Sequence, residues 1–521
     1  MRKVIKVVVE LALRNLNKEF DYLLPKKLES QIKVGQIIKV PFGRRKIFAF
    51  VTRLDVDSEV DSSKLKEIDS IVYKQKFFDK NLLRLFYWIS NYYHTFLAQV
   101  IKAALPAGIT SKKIKKKKLE YLKLSDSEKN YEKELEKLKG RAPKQYLILK
   151  YIIENKNKKL ELKNVLEYAE TSKATVKRLI EKDLIIMYTD IRERRAKIKN
   201  KFKVPEIETS LRQKELTFIN KLAAGKYTES KYIVESGADR YAFVIELLKK
   251  LISADKNVIL LIPEIQKDYV FLEQLQNIFA DDQIAFLHSK LNKGERFDEW
   301  QRIMSGRVNL VIGARSAVFA PFTELDAIIV MEENNENYKQ QEHPLYHVRQ
   351  LAAKRLENED SLLLLESPTP SVESKYLVQN DKFKGFNLEN EEDKINYNIV
   401  DMKKEIENGN LGDLSEKLKA AIKEQLDKNN KIMLFLNRRG AANYVICRKC
   451  GEVIKCENCN ISLNYHKNED KLRCHYCGFE REMPDLCPEC GSKFISQAGI
   501  GIEKVLKEIK ENYLQADYEE V

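Results

Sequence analysis

Three stretches decide the fold: VILLIPEIQ (Val258–Gln266), VIGARSAVFAPF (Val311–Phe322) and IIVMEENNENYKQQEHPLYHVRQLAAKR (Ile328–Arg355). Each opens on a short aliphatic run that turns abruptly polar, with no polar face and too little length for a buried helix. Strands covered on both faces read this way. Similar runs at Asn257–Ile262, Ile284–His288, Leu310–Gly313, Ala327–Val330 and Leu362–Leu365 alternate with helical stretches, the signature of a parallel sheet in an α/β unit. Residues 205–380 are therefore expected to form one such lobe. Ile432–Leu436 starts a second, spanning 390–440 and 495–521, with residues 441–494 inserted into it.

Upstream, the strand-like runs Val4–Val9, Gln36–Val40 and Ile47–Val51, with a turn at Pro41–Gly43, predict a small β-rich domain over 1–110. Six lysines within Lys112–Lys118 mark 111–139 as a linker, or less plainly a phosphate-tracking arm. Residues 140–200 run helix, short helix, helix opened by Thr171-Ser172, then strand at Leu184–Met187, the order of a winged helix. Such a domain contacts either DNA or protein.

A chain of 521 residues exceeds what one hydrophobic core supports. Residues 1–200 carry 47 basic and 25 acidic side chains, a balance of +22, while the rest carry 46 and 53, a balance of −7. A basic amino-terminal region points to a polyanion, with nucleic acid favoured over a membrane surface. The longest apolar runs, such as Val258–Ile262, fall far short of a membrane span. Charges at Arg2, Lys3, Lys6 and Glu10 break any secretory apolar region, so a cytoplasmic protein is expected.

All eight cysteines lie between Cys447 and Cys490, as four Cys-x-x-Cys knuckles: Cys447/Cys450, Cys456/Cys459, Cys474/Cys477 and Cys487/Cys490. Each knuckle sets two thiolates on one tight turn, so eight ligands make two closed structural Zn²⁺ sites; an iron–sulfur centre is the alternative. Five residues between Cys450 and Cys456 are too short a reach for neighbouring knuckles to share an ion. The expected sets are Cys447, Cys450, Cys487 and Cys490 for one zinc, and Cys456, Cys459, Cys474 and Cys477 for the other. His466 and His475 read as surface or packing residues.

These motifs, with AFLHSKLNKGERFDEW (Ala285–Trp300), ESPTPS (Glu366–Ser371), NRRG (Asn437–Gly440), FDYLLP (Phe20–Pro25) and VPFGRR (Val40–Arg45), resemble the PriA family of primosomal replication-restart helicases along essentially the whole chain. The resemblance implies a 3′-end DNA-binding β domain, a winged helix, and RecA-like lobes with a zinc insertion in the second. It also implies recognition of stalled or branched forks and reloading of the replisome with primosome proteins and single-stranded DNA-binding protein, alongside ATP-driven unwinding. By resemblance, Phe20, Asp21, Tyr22, Gly43 and Lys66 hold the 3′-terminal nucleotide: the carboxylate accepts the terminal hydroxyl, an aromatic stacks the base and Lys66 meets the phosphate. The plain alternative makes Phe20 and Tyr22 same-face residues of a small core. Asn337–Arg349, with Tyr338, Tyr346, His347 and Arg349, resembles the family's aromatic-rich loop, here with a structural or DNA-contact role.

The nucleotide motifs depart from the family. A phosphate loop needs Gly-rich backbone, a Lys for the β/γ charge and Ser/Thr for Mg²⁺. At that place stands Tyr232-Ile233-Val234-Glu235-Ser236-Gly237-Ala238-Asp239-Arg240. Only Gly237 survives; Ala238 replaces the Lys and Asp239 the Ser/Thr. Arg240, two residues late, is expected to point elsewhere. The Mg²⁺ box reads Met331-Glu332-Glu333-Asn334, and the coupling segment begins on Glu366 where the family has Gly. No catalytic set is intact, with Gly237, Glu332 and Glu333 as remnants, which argues against ATP and Mg²⁺ and for a restart scaffold without helicase activity. An active 3′→5′ helicase and a zinc-ribbon protein of transcription or translation are the alternatives.

Overall fold

The computed structural model describes residues 3–61, 63–110, 114, 117–125, 130–192, 194–196, 211–225, 231–237, 239–357, 360–388, 397–410, 412, 414–436, 445–466, 471–497 and 502–513. The chain divides into two compact units, 1–393 and 394–521. Among the described residues no helix is long and apolar enough to cross a membrane.

The first unit opens with β1 (Val4–Val9), β2 (Phe20–Leu23), β3 (Ile37–Phe42), β4 (Arg45–Arg53) and β5 (Ser70–Ile71), an antiparallel sheet in the order β2-β1-β4-β3-β5. The period of two sorts its side chains. Ile5, Val7 and Val9 enter a small core with Tyr22, Val40 and Val51, while Val8 faces the other way with Ile37 and Phe50. That second face is covered by helices Lys80–Tyr92 and Leu97–Ala104. It merges with the next domain: Phe77, Phe78 and Phe86 share one core with Phe297, Trp300 and Phe319, and Trp300 Nε1 donates to Phe77 O at 2.9 Å.

β6 (Lys117–Leu124), β7 (Leu160–Glu161) and β8 (Ile185–Arg192) form a sheet in the order β7-β6-β8. Helices Pro143–Glu154, Leu162–Tyr168 and Lys173–Glu181 pack on it through Ile148, Leu149, Val165 and Leu179. The structure differs here from the Lys-rich linker expected over 111–139. That stretch holds β6, paired with β8 from Lys117 to Leu124, and a helix over Tyr131–Leu138. The lysine block hid the alternation behind it, in which buried Leu122 and half-buried Leu124 share the core face.

Seven strands follow: β9 (Lys231–Glu235), β10 (Val258–Leu261), β11 (Ile284–Leu287), β12 (Leu310–Gly313), β13 (Ala327–Val330), β14 (Leu362–Ser367) and β15 (Lys384–Asn387). They pair in parallel in the order β11-β12-β10-β13-β14-β9-β15. Ile259, Leu261, Ile328, Val330 and Leu363 face the core shared with the amino-terminal domain. Val258, Leu260, Ile329, Leu362 and Leu364 face the opposite layer. Helices on both faces explain the nearly unbroken aliphatic runs.

The second unit holds β16 (Val445–Cys447), β17 (Asn464–His466), β18 (Lys471–Arg473), β19 (Glu480–Glu482) and β20 (Ile495–Gln497), in two small sheets, β16-β20 and β17-β18-β19. Helices Glu416–Asp427 and Ile502–Asn512 meet through Leu414, Ile422, Val505 and Ile509. The strand expected at Ile432–Leu436 is not formed; Met433 and Phe435 are 89% and 82% exposed. A parallel strand exists only through its neighbours, and no described residue of this unit pairs with it. The NRRG segment, 437–440, lies outside the described residues.

Candidate functional site

The DNA-end candidates lie on β2, at the tip of the β3–β4 hairpin and on the segment beside the end of β2. β3 and β4 are joined by the two residues Gly43-Arg44, and Gly43 takes φ +59°, the conformation this tight hairpin requires at its first central position. Tyr22 Oη donates to Pro41 O at 3.0 Å, and the Phe20 ring meets Phe42 edge-to-face at 5.4 Å, so β2 is braced against the hairpin tip. Leu23 N donates to Lys66 O at 2.9 Å, which brings Lys66 beside the end of β2. Exposed Arg44 and Arg45 add positive charge at the tip. The structure thus brings Phe20 and Tyr22 to the hairpin tip and the Lys66 backbone beside β2, while strand alternation turns the Asp21 side chain, 8% exposed, to the opposite face of β2. Tyr22 is 5% exposed and belongs to the core, which is the plain alternative for that residue; Phe20 is half-buried against the same core and Lys66 is exposed. The Asp21 carboxylate accepts from Lys6 Nζ at 2.9 Å and Ser58 Oγ at 2.6 Å, an orientation fixed by two partners that sequence reading did not find. A carboxylate offers about four lone-pair sites, so acceptor capacity remains.

The four knuckles share one construction. The amide after each second cysteine, at Gly451, Asn460, Gly478 and Gly491, donates back to the carbonyl of the first at 2.8–2.9 Å. All four residues have positive φ, which glycine and asparagine adopt most readily. The knuckles combine as Cys447, Cys450, Cys487, Cys490 and as Cys456, Cys459, Cys474, Cys477, each set with its sulfurs within 4.8 Å of one another. Sγ–Sγ distances of 3.6 Å for Cys447–Cys490, Cys450–Cys487 and Cys456–Cys477 suit a tetrahedron with ~2.3 Å metal–sulfur bonds, whose edge is about 3.8 Å. The donor sets therefore fit zinc. His466 and His475 stand outside both sets and meet each other, Nε2 to Nε2, at 2.8 Å.

The phosphate crevice of an open α/β sheet lies beyond the carboxyl ends of the strands. Here the side chains at the ends of β9, β13 and β14 bond to one another. Buried Ser236, leading into Gly237, donates Oγ to Glu366 Oε1, and Glu332 N donates to Glu366 Oε2 at 3.2 Å. Glu366 is fully buried, and that burial pushes its carboxyl above the usual range. Arg240, expected to point away, turns into the crevice instead: Nη1 pairs with Glu332 Oε1 at 2.9 Å, and Nη2 donates to Tyr241 Oη, which donates to Asp268. Helix Arg240–Ser253 starts immediately after the loop and aims its first side chain at the end of β13. Glu333 is fully buried and committed to Arg349 at 2.6 Å and to the Ser371 amide at 2.7 Å. Glu235 pairs with Lys375. Met331 is buried in the sheet's second layer, the surroundings of a packing residue. Ala238 lies outside the described residues.

The segment resembling an aromatic-rich loop turns its rings inward. Tyr338 is fully buried and donates to Met331 O at 2.7 Å, Tyr346 packs edge-to-face on Phe319, and burial pushes His347 down to about 4. Arg315 holds the segment by donating to Asn337 O and Lys339 O.

The family model of the 3′ DNA-binding domain of PriA matches residues 6–106, and that of the PriA DNA helicase Cys-rich region matches 456–481. The replication restart protein PriA of Bacillus subtilis is 30% identical over 97% of this chain and 71% of its own length. That of Haemophilus influenzae is 31% identical over 98% and 68%. The chain belongs to the PriA family of replication restart proteins. Membership identifies the β-rich domain as the family's 3′ DNA-binding domain, and Phe20–Tyr22 and Gly43 lie inside it. It also ties the Cys456, Cys459, Cys474, Cys477 cluster to the family's Cys-rich region.

Proposed function

We propose that this chain recognises branched DNA exposing a 3′ end and nucleates reloading of the replication machinery, without hydrolysing ATP or unwinding DNA. The observation that carries the second half is the Arg240–Glu332 pair, seated with the Ser236–Glu366 bond where phosphate and Mg²⁺ would enter. Phosphoryl transfer rests on positioning and charge neutralisation. In this crevice the cation is spent on the chain's own carboxylate, and Glu366 adds a buried acid where the family has a glycine. Asp21 reads the terminal 3′-hydroxyl, with Phe20, Gly43 and Lys66 around the last nucleotide and Arg44 and Arg45 on its phosphates. Each four-cysteine cluster takes one Zn²⁺, which holds the Cys-rich region folded and offers no open position for catalysis.

The test is DNA-stimulated ATP hydrolysis on a forked substrate beside fork binding. The expected result is tight, salt-sensitive binding with turnover no higher than a Glu332→Gln control; turnover well above that control returns the chain to the active helicases. For the DNA end, Asp21→Asn keeps the shape of the side chain and is expected to erase the preference for a free 3′-hydroxyl over a 3′-phosphate. A preference that survives removes Asp21 from the site.

A further inference from the structure

The winged-helix domain carries a groove of about 420 Å³ that neither the DNA-end site nor the phosphate crevice uses. Its floor is aliphatic, made by Leu122, Leu124, Ile152 and Leu160. Its rim carries Lys123, Lys156 and Lys158, all exposed, and among the described residues no acidic one lines it. Among the described residues none of the three lysines is ion-paired; Lys158 donates to the Asn155 side chain and Lys123 lies over the Tyr188 ring.

The groove sits where the sheet is incomplete. β8 accompanies β6 from Lys117 to Leu124, but β7 covers the opposite edge only at Tyr121 and Leu122. Beyond Leu122 that edge of β6 has no strand partner among the described residues, and an open edge of this kind accepts an added strand through main-chain hydrogen bonds. Three features then act on one ligand: a strand edge that takes extended backbone, an aliphatic floor that takes alternate side chains, and a cationic rim that takes carboxylates.

We propose that this groove docks an extended acidic segment of a partner protein, with aliphatic side chains on the floor and carboxylates at Lys123, Lys156 and Lys158. Single-stranded nucleic acid suits it less, because bases need ring platforms and Tyr131 alone among the described lining residues is aromatic. The proposal is independent of the nucleotide reading, since no residue of the crevice takes part.

The experiment titrates the full chain, by fluorescence anisotropy, with the labelled peptide Asp-Leu-Asp-Ile-Glu-Leu-Glu, its lysine-substituted counterpart and oligo(dT). Each is repeated on the combined variant Lys123→Ala, Lys156→Ala, Lys158→Ala, with circular dichroism to confirm its fold. The acidic peptide is expected to bind, to bind about tenfold more weakly to the variant, and to slow amide exchange at Leu124, whose N–H faces the open edge. The basic peptide is expected to show no binding, and oligo(dT) affinity is expected to stay unchanged in the variant. Equal affinity of the acidic peptide for both proteins overturns the proposal. So does failure of the peptide to bind while the variant loses oligo(dT), which would make the groove a nucleic-acid site.

Discussion

Replacing cysteines in sets of four separates the two ways in which four knuckles can hold metal. In the structure Cys447 and Cys450 combine with Cys487 and Cys490, not with the adjacent Cys456 and Cys459. Serine at 447, 450, 487 and 490 removes one cluster and leaves the other whole. Serine at 447, 450, 456 and 459 leaves two thiolates in each. A structural zinc site in a small domain contributes about 10–16 kcal/mol of apparent binding free energy at neutral pH. Sharing this evenly over four thiolates, a half-site keeps about 5–8 kcal/mol, a dissociation constant in the millimolar to micromolar range, too weak to survive dialysis against a chelator. The first variant is therefore expected to retain one zinc per chain by elemental analysis, and the second almost none. Local order should follow the metal: Ile454, Leu463 and Leu472 pack with Cys456 and Cys474, so protease resistance of this small core persists in the first variant and is lost in the second. The reverse result, no zinc in the first variant and one in the second, refutes the interleaved pairing.

The junction between the amino-terminal domain and the parallel sheet offers a second test. Trp300→Phe leaves the buried Phe77 carbonyl without its donor and is expected to cost about 1–3 kcal/mol, read from the midpoint of chemical denaturation; an unchanged midpoint means the indole bond contributes nothing net. Glu299 is fully buried beside Arg302, and burial pushes its carboxyl from the ordinary 4.5 to about 7 although Arg302 pulls it down. A carboxyl raised on folding contributes stability that is complete below about pH 4.5 and is lost as pH rises through 7. Glu299→Gln, which can still accept from the Ala196 amide, is therefore expected to flatten the fall in melting temperature between those values. Identical pH profiles would show that Glu299 titrates normally.

What could be read from the sequence was whatever is local in the chain. The unbroken aliphatic runs Val258–Leu261 and Ala327–Val330 need only their own residues to announce strands buried on both faces, and the four Cys-x-x-Cys turns carry their geometry within five residues each. Where a lysine block preceded Leu119-Glu120-Tyr121-Leu122, charge outweighed alternation and a strand passed as linker. At Ile432–Leu436 the error ran the other way: the residues are those of a buried strand, but no described neighbour supplies the ladder. Asp21 is proposed as the end-reading residue on the family resemblance alone, and its orientation comes from Lys6 on β1 and from Ser58, a position with no signature of its own.

The crevice shows most plainly what spacing leaves out. Losses at the Lys and Mg²⁺ positions are visible one residue at a time, and each alone is compatible with a weakened enzyme. What spacing does not show is a set of contacts between segments far apart in sequence, with Ser236 and Glu366 separated by 130 residues and Arg240 meeting Glu332 across the top of the sheet. On the proposed reading these residues compensate one another: Glu366 fills space that a glycine would leave open, and Arg240 neutralises Glu332. A triphosphate entering the crevice would have to break the Arg240–Glu332 pair, leave Glu332 beside its own negative charge and displace the Glu366 side chain from Ser236. Restoring a lysine at 238 therefore adds one favourable charge while leaving all three costs in place. Recovery of nucleotide binding is expected to require Glu366→Gly and Met331→Asp in the same chain as the restored loop.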